Sequence, residues 1–269
     1  ADAVVQSTHK TLGSLTQTSM LHSNNDFWFA KVVQAQQVLQ TTSPSLPFLA
    51  VLDEIRRELA VQGRELVGKA VELGRQGRRH LAELKGVEVL PERLQADPTK
   101  IVFSLRQLGL TGIEVERILR VDYNIQVELS DYYSVLALVS VGDTPESIEK
   151  LVHAVRDLVS RRAHLGKGAL PRYTLQFPKL PPAALSLREG FYHAKEPIPL
   201  QEAVGRLSGG FLTPYPPGVP LIVPGEVFTA EIVDYALWCT RIGWSLRGLL
   251  PGQNVLAIKE IGGLCRTVR

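Results

Sequence analysis

An α/β chain in three parts is what the sequence predicts, on three observations. Short apolar runs alternate with longer segments whose apolar residues recur at helical spacing. Helix-start chemistry stands at Thr144-Pro145 and at Thr229. Proline- and glycine-rich stretches at Pro91–Pro98 and Gly166–Pro171 divide the chain into residues 1–95, 96–165 and 166–269. At 269 residues, 45% of them hydrophobic, the chain has the apolar surface for two or three cores.

In order along the chain, Ala1–Ser7 reads as a buried strand. It starts without an initiator Met and inside the strand, whereas domain termini usually lie at a surface, so a longer parent polypeptide is expected. Asn25–Gln40 reads as a helix through Phe27, Val32, Val33 and Val38, and Thr41-Thr42-Ser43-Pro44-Ser45 breaks it. A long amphipathic helix is predicted over Leu49–Leu84, with Leu52, Ile55, Leu59, Leu66, Val67, Val71 and Leu81 on its apolar face. Gly63, Gly68, Gly74 and Gly77 are places where it can bend. Its Arg75, Arg78 and Arg79 read as a solvated face, with a phosphate patch as the alternative.

The middle part reads as strand Ile101–Leu105, helix Thr111–Leu119, strands Ile125–Leu129 and Ser134–Val141, and a helix from Pro145 with Leu151, Val155 and Leu158 turned inward. In the third part Ser186–Glu189 opens a short helix and Leu200–Arg206 reads as another. Val219–Val223 is strand-like, and Thr229 caps a helix running to Ile242.

Composition removes several function classes. Thirty Lys+Arg against 27 Asp+Glu leave a net charge of +3, too weak a field to predict a nucleic-acid partner. The longest strongly apolar stretch, Val135–Val141, falls far short of the ~20 residues of a membrane span, and no secretory leader is read at the start. Cys239 and Cys265 are the only cysteines and neither sits in a C-x-x-C or Cys/His cluster, which predicts a reducing, cytoplasmic setting and no metal. His22 reads as structural, and His80, His153, His164 and His193 have no carboxylate or cysteine at ligand spacing. Trp28, Trp238 and Trp244 read as core or interface aromatics, and Ser208-Gly209-Gly210 as a turn.

The segment that can carry chemistry is Ser7-Thr8-His9-Lys10, which follows the first apolar run. A lysine at the carboxyl edge of a sheet stands where α/β proteins place ligands. Its amine can form a Schiff base with a carbonyl cofactor, while Ser7 and His9 can donate hydrogen bonds to a phosphate. An ordinary polar strand end is the alternative.

Ser7–His22 as a whole resembles the lysine-bearing segment of the fold-type I, pyridoxal-phosphate ornithine/lysine/arginine decarboxylases. Leu39-Gln40-Thr41-Thr42-Ser43-Pro44-Ser45 continues the resemblance. So does Pro214-Tyr215-Pro216-Pro217-Gly218-Val219-Pro220 with Pro224-Gly225-Glu226, in the family's order and over essentially the whole chain. The resemblance implies the tail of an aspartate-aminotransferase-like domain over 1–95, a small α/β domain over 96–165 and an α+β C-terminal decarboxylase domain over 166–269.

It also implies pyridoxal 5′-phosphate as cofactor, Lys10 as its Schiff-base lysine, and His9 and Ser7 beside it, with His9 also serving catalysis. Thr41 and Thr42 are implied to reach the phosphate in a partner subunit, hence a homodimer or higher homo-oligomer with shared sites; a plain turn and cap is the alternative. Glu226 is implied to meet the distal cation of a basic amino acid, or else is an N-terminal helix charge. Arginine, giving agmatine and CO2, is expected before lysine or ornithine.

Family members carry the phosphate cup, the ring stacked on the cofactor and the aspartate at the pyridine nitrogen upstream of the lysine. The chain alone is therefore expected to be inactive, and an inactive association module is the alternative function. An aminotransferase on the same fold is disfavoured by the C-terminal Pro-Gly-Glu segment.

Overall fold

The computed structural model describes residues 1–92, 96–163, 168–170 and 177–259. They form two compact units. The first takes in Ala1–Gly109, Arg117–Glu128 and Val135–Gly168; the second takes in Leu110–Glu116, Leu129–Ser134 and the chain from Ala169 onward.

The first unit opens with strand β1 (Ala3–Gln6), the one-turn helix α1 (Thr8–Thr11) and strand β2 (Met20–Ser23). β1 and β2 pair antiparallel, with Val4 opposite His22 and Gln6 opposite Met20. The sequence predicts a buried strand here, and the structure corrects that: every residue of β1 is exposed. The two strands form a sheet of their own, so nothing in this ladder covers the apolar side chains. Helix α2 (Asp26–Leu39) starts where Asn25 Oδ1 accepts from the Phe27 and Trp28 N–H groups at 2.9 and 3.3 Å, and it buries none of its residues.

Helix α3 (Leu46–Ala82) is one helix of 37 residues that runs on through all four glycines. Two of them serve packing. A Cβ on Gly74 would lie 2.3 Å from the Pro98 carbonyl oxygen, and one on Gly77 would lie 2.9 Å from Ile101 Cδ1. The helix therefore comes closer to its neighbours than any other residue type allows. The neighbours are an antiparallel sheet of β3 (Glu88–Val89), β4 (Lys100–Ser104) and, beyond helix α4 (Gly112–Tyr123) and the two-residue strand β5 (Leu129–Ser130), β6 (Val135–Leu138). Helix α5 (Pro145–Ala163) also packs on α3. Leu81, Ile101, Phe103, Leu119, Val135, Leu151 and Val155 are buried in this unit.

In the arginine cluster Arg75 and Arg79 lie on the solvated face that the sequence predicts, and Arg78 departs from it. Arg78 is 8% exposed and donates to the Leu90 and Lys100 carbonyl oxygens, each at 2.8 Å. Arg75 pairs with Glu92 at 3.1 Å and Arg79 with Glu72 at 2.9 Å. Ile125–Leu129 is not a strand: residues 124–128 are irregular and only Leu129 begins β5.

In the second unit, Ser186 and Glu189 form a reciprocal capping box on helix α6 (Leu187–Tyr192). Strand β7 (Lys195–Pro199), strand β8 (Thr213–Tyr215), helix α7 (Ala230–Arg241), strand β9 (Ser245–Arg247) and strand β10 (Asn254–Ile258) follow. β7 pairs with β10 and β8 with β9, both antiparallel. The Thr229 side chain accepts from Ile232 N–H, capping α7 as its sequence predicts. Ile198, Leu212, Ile222, Phe228, Ile232, Ala236, Cys239 and Val255 share one core.

Two expectations fail here. Leu200–Arg206 holds only a 3-10 turn over Leu200–Glu202. Val219–Val223 makes a single bridge, Ile222 to Leu212, because Pro220 and Pro224 remove the N–H donors a longer ladder needs. Among the described residues no helix is long and apolar enough to cross a membrane. Cys265, His164 and half of the Gly166–Pro171 linker lie outside the described residues.

Two tests follow from α3. Replacing helical Gly by Ala ordinarily stabilises by up to ~1 kcal/mol. Gly68→Ala, with nothing within 4 Å of the added Cβ, is expected to do so, whereas Gly74→Ala is expected to destabilise. Same-sign shifts in thermal melting would contradict this packing. Arg78→Ala is expected to cost the first unit roughly 2–3 kcal/mol, by leaving two carbonyls without their charged donor. The readout is faster amide exchange in β4 and the C-terminal half of α3, and unchanged exchange there would contradict the assignment.

Candidate functional site

β1 delivers the chain into a single tight turn that carries the predicted residues. Ser7 is the N-cap of α1 and makes no side-chain capping bond. Lys10 N–H donates to Ser7 O at 3.1 Å, and Leu12 N–H to Thr8 O at 3.1 Å. Lys10 thus stands on a helical turn, not at the strand end where the sequence places it. The loop after α1 folds back over it: Thr8 and Thr18 are buried, and His9 Nδ1 lies 2.9 Å from the Thr18 carbonyl oxygen. A carbonyl only accepts, so Nδ1 carries the proton and the ring presents Nε2 on its other side. Thr18 Oγ1 donates to Leu15 O at 2.6 Å and shares a hydrogen bond with Ser14 Oγ at 2.7 Å, which fixes the loop that fixes His9.

The Lys10 ammonium donates to Glu128 Oε1 at 2.7 Å, with the two side chains 50% and 26% exposed. Sequence reading missed Glu128. It lies 118 residues from Lys10, and in Ile125-Gln126-Val127-Glu128-Leu129 it reads as the solvent face of an alternating run. Its backbone is set by the sheet, Glu128 N–H donating to Leu136 O at 3.0 Å. The lysine's side of the pair is set by the same segment, since Val141 N–H donates to Thr11 O at 3.0 Å.

Thr41 and Thr42 occupy the exposed turn between α2 and α3. Thr41 Oγ1 accepts from Ser43 N–H at 3.1 Å, a local turn bond, and among the described residues no hydrogen bond joins either threonine to Ser7, His9 or Lys10. Glu226 lies in the second unit, where its Oε2 accepts from Val223 N–H at 2.8 Å across the Val223–Glu226 turn. Gly225 makes that turn possible with φ +90. Gly190 lets α6 press against it, since a Cβ there would lie 2.3 Å from Gly225 N. The glutamate is therefore held at a rigid corner.

Other candidates are absorbed by packing. His80 and His153 share an open groove of about 570 Å³ with Glu146, Glu149, Lys150 and Arg156. Charges of both signs meet there, and among the described residues no group of three side chains could hold a metal. Cys239 is fully buried in the second core, and that burial pushes its thiol up to about 12. A thiol so placed is no nucleophile. In the folded chain at pH 8 the Cys239 peptide is expected to stay unmodified by iodoacetamide and to react on unfolding. Rapid native modification of that peptide would contradict its burial.

Comparison with known proteins bears on this site. The family model described as Orn/Lys/Arg decarboxylase, major domain, matches residues 2–96, and that described as Orn/Lys/Arg decarboxylase, C-terminal domain, matches residues 175–254. The chain is 39% identical to the arginine decarboxylase of Bacillus anthracis over 97% of its own length and 55% of that protein's. It is 37% identical to the arginine decarboxylase of Halalkalibacterium halodurans over 92% of its length and 52% of that protein's. It thus spans about half the length of the curated relatives it matches. Among solved structures, the Francisella novicida lysine decarboxylase aligns with a TM-score of 0.75 at 21% identity, covering 95% of this chain and 48% of that one. That likeness shows a shared mixed α/β fold.

Proposed function

The chain belongs to the Orn/Lys/Arg decarboxylase family, and from that premise we propose that the protein it represents removes the α-carboxylate of a basic amino acid with pyridoxal 5′-phosphate held on Lys10. The observation that carries this reading is the setting of Lys10. Its side chain is half-exposed, on a turn whose backbone is tied to the sheet and whose neighbouring histidine has a fixed tautomer.

The residues present fit the cofactor. Lys10 supplies the amine that binds the aldehyde, Ser7 a hydroxyl not used in capping its own helix, and His9 a ring held by Thr18. When bound, the cofactor supplies an electron sink for the pair left at Cα as CO2 departs. The chain's own tasks are then to orient and to move protons. Lys10 must be unprotonated to bind the aldehyde, and His9 lies in the same turn to position groups around it. Glu226 carries the charge that a guanidinium requires and holds it at a fixed corner. Thr41 and Thr42 are assigned to a second copy of the chain, reaching its phosphate. The whole protein then works as a homodimer or larger homo-oligomer in the cytoplasm.

Arginine is the substrate favoured. The relatives named arginine decarboxylase are 37–39% identical, against 23% for the constitutive lysine decarboxylase of Escherichia coli. One observation favours a second reading, in which this chain alone serves only association. α2 buries nothing and leaves Phe27, Trp28 and Phe29 exposed.

Borohydride reduction in the presence of pyridoxal 5′-phosphate separates the two readings. The first predicts a stable adduct on the Lys10 peptide, lost in Lys10→Ala. Modification spread evenly over the surface lysines, or none, would favour the association module.

A further inference from the structure

The strongest unassigned feature is the partner of the lysine. Surface ion pairs usually pair two mobile side chains and contribute little. The Lys10–Glu128 pair is built differently, because both backbones hang on the same stretch of chain. Leu136 O receives Glu128 N–H at 3.0 Å, and Val141 N–H is given to Thr11 O at 3.0 Å. On either side of those anchors, Val127, Val135 and Val139 are buried, so the segment between them is packed from beneath. The carboxylate and the ammonium are thus presented to each other at 2.7 Å by the fold, across 118 residues of sequence.

Resting on the cofactor reading above, we infer that Glu128 is a positioning residue for Lys10. Its carboxylate holds the ammonium before the cofactor is taken up, and must release it when the aldehyde arrives. An ammonium held in an ion pair has no lone pair to attack with. Nζ therefore leaves Glu128 and gives one proton to solvent. The neutral amine would then be free to condense with the aldehyde a bound cofactor supplies, the aldehyde oxygen leaving as water with the two remaining Nζ hydrogens. Glu128 thereby slows loading while holding the lysine side chain in one place. Removing its charge takes away the attraction that this carboxylate exerts on the ammonium.

The test uses the 269-residue chain. Trace acetic anhydride labels amines according to their free, unprotonated fraction. Lys10 labelling is measured against exposed Lys85 on the same molecule. Glu128→Gln is expected to raise the Lys10 to Lys85 ratio by about two- to fivefold, the range of an exposed ion pair. Glu128→Asp, which keeps the charge, is expected to retain most of the protection. The rate at which borohydride traps pyridoxal phosphate on Lys10 is expected to rise in Glu128→Gln by a similar factor.

Equal labelling in wild type and Glu128→Gln overturns the positioning role. Raised labelling with no trapped cofactor on Lys10 in either chain overturns the cofactor reading, and the release step with it. If circular dichroism shows that Glu128→Gln does not fold, salt decides on the wild type. Screening at 1 M is expected to raise the Lys10 to Lys85 ratio, and an unchanged ratio overturns the role.

Discussion

Everything in the first unit depends on how closely α3 approaches its sheet. The helix presents Gly74 to the Pro98 carbonyl and Gly77 to Ile101, at distances no Cβ would tolerate. Arg78, one residue on, reaches past the helix to grip the Leu90 and Lys100 carbonyls. Close approach and clamp together fix β4, and β4 fixes β6 through their antiparallel ladder. The chain along and just beyond β6 then fixes both halves of the candidate site, Glu128 through Leu136 and the lysine turn through Val141. The Lys10 turn is thus placed through β4 and β6.

How far this was legible in the sequence depended on whether the cause was local. α2, α3, α5 and α7 were legible because helical spacing, Pro145 and the Thr229 cap are local signals. β1 was legible as a strand but not as an exposed one, since exposure depends on what pairs with it. Val219–Val223 misled because its apolar run outweighed the prolines that deny it a ladder. Arg78 carries the same charge as Arg75 and Arg79 in sequence, and only the helix phase and the returning β4 make it a buried clamp.

The same division runs through the site. Lys10, His9 and Ser7 stand together in sequence, and their chemistry could be read from residue type and from resemblance. Their support could not. The Thr18 carbonyl that sets the His9 tautomer and the Glu128 carboxylate that meets Lys10 are tertiary partners with no spacing to betray them. Glu226 was legible as an acidic candidate. Its rigidity, from the Val223 hydrogen bond and the tight meeting of Gly190 with Gly225, was not.

The account turns on Lys10 being the residue to which the cofactor binds. The most direct measurement is NMR of the chain carrying carbon-13 at the lysine Cε, titrated with pyridoxal 5′-phosphate alongside Lys10→Arg. The account predicts that one lysine signal moves to a new position at one equivalent, and that this signal is missing from the variant. A titration in which all lysine signals drift together, or in which Lys10→Arg behaves as wild type, would contradict it.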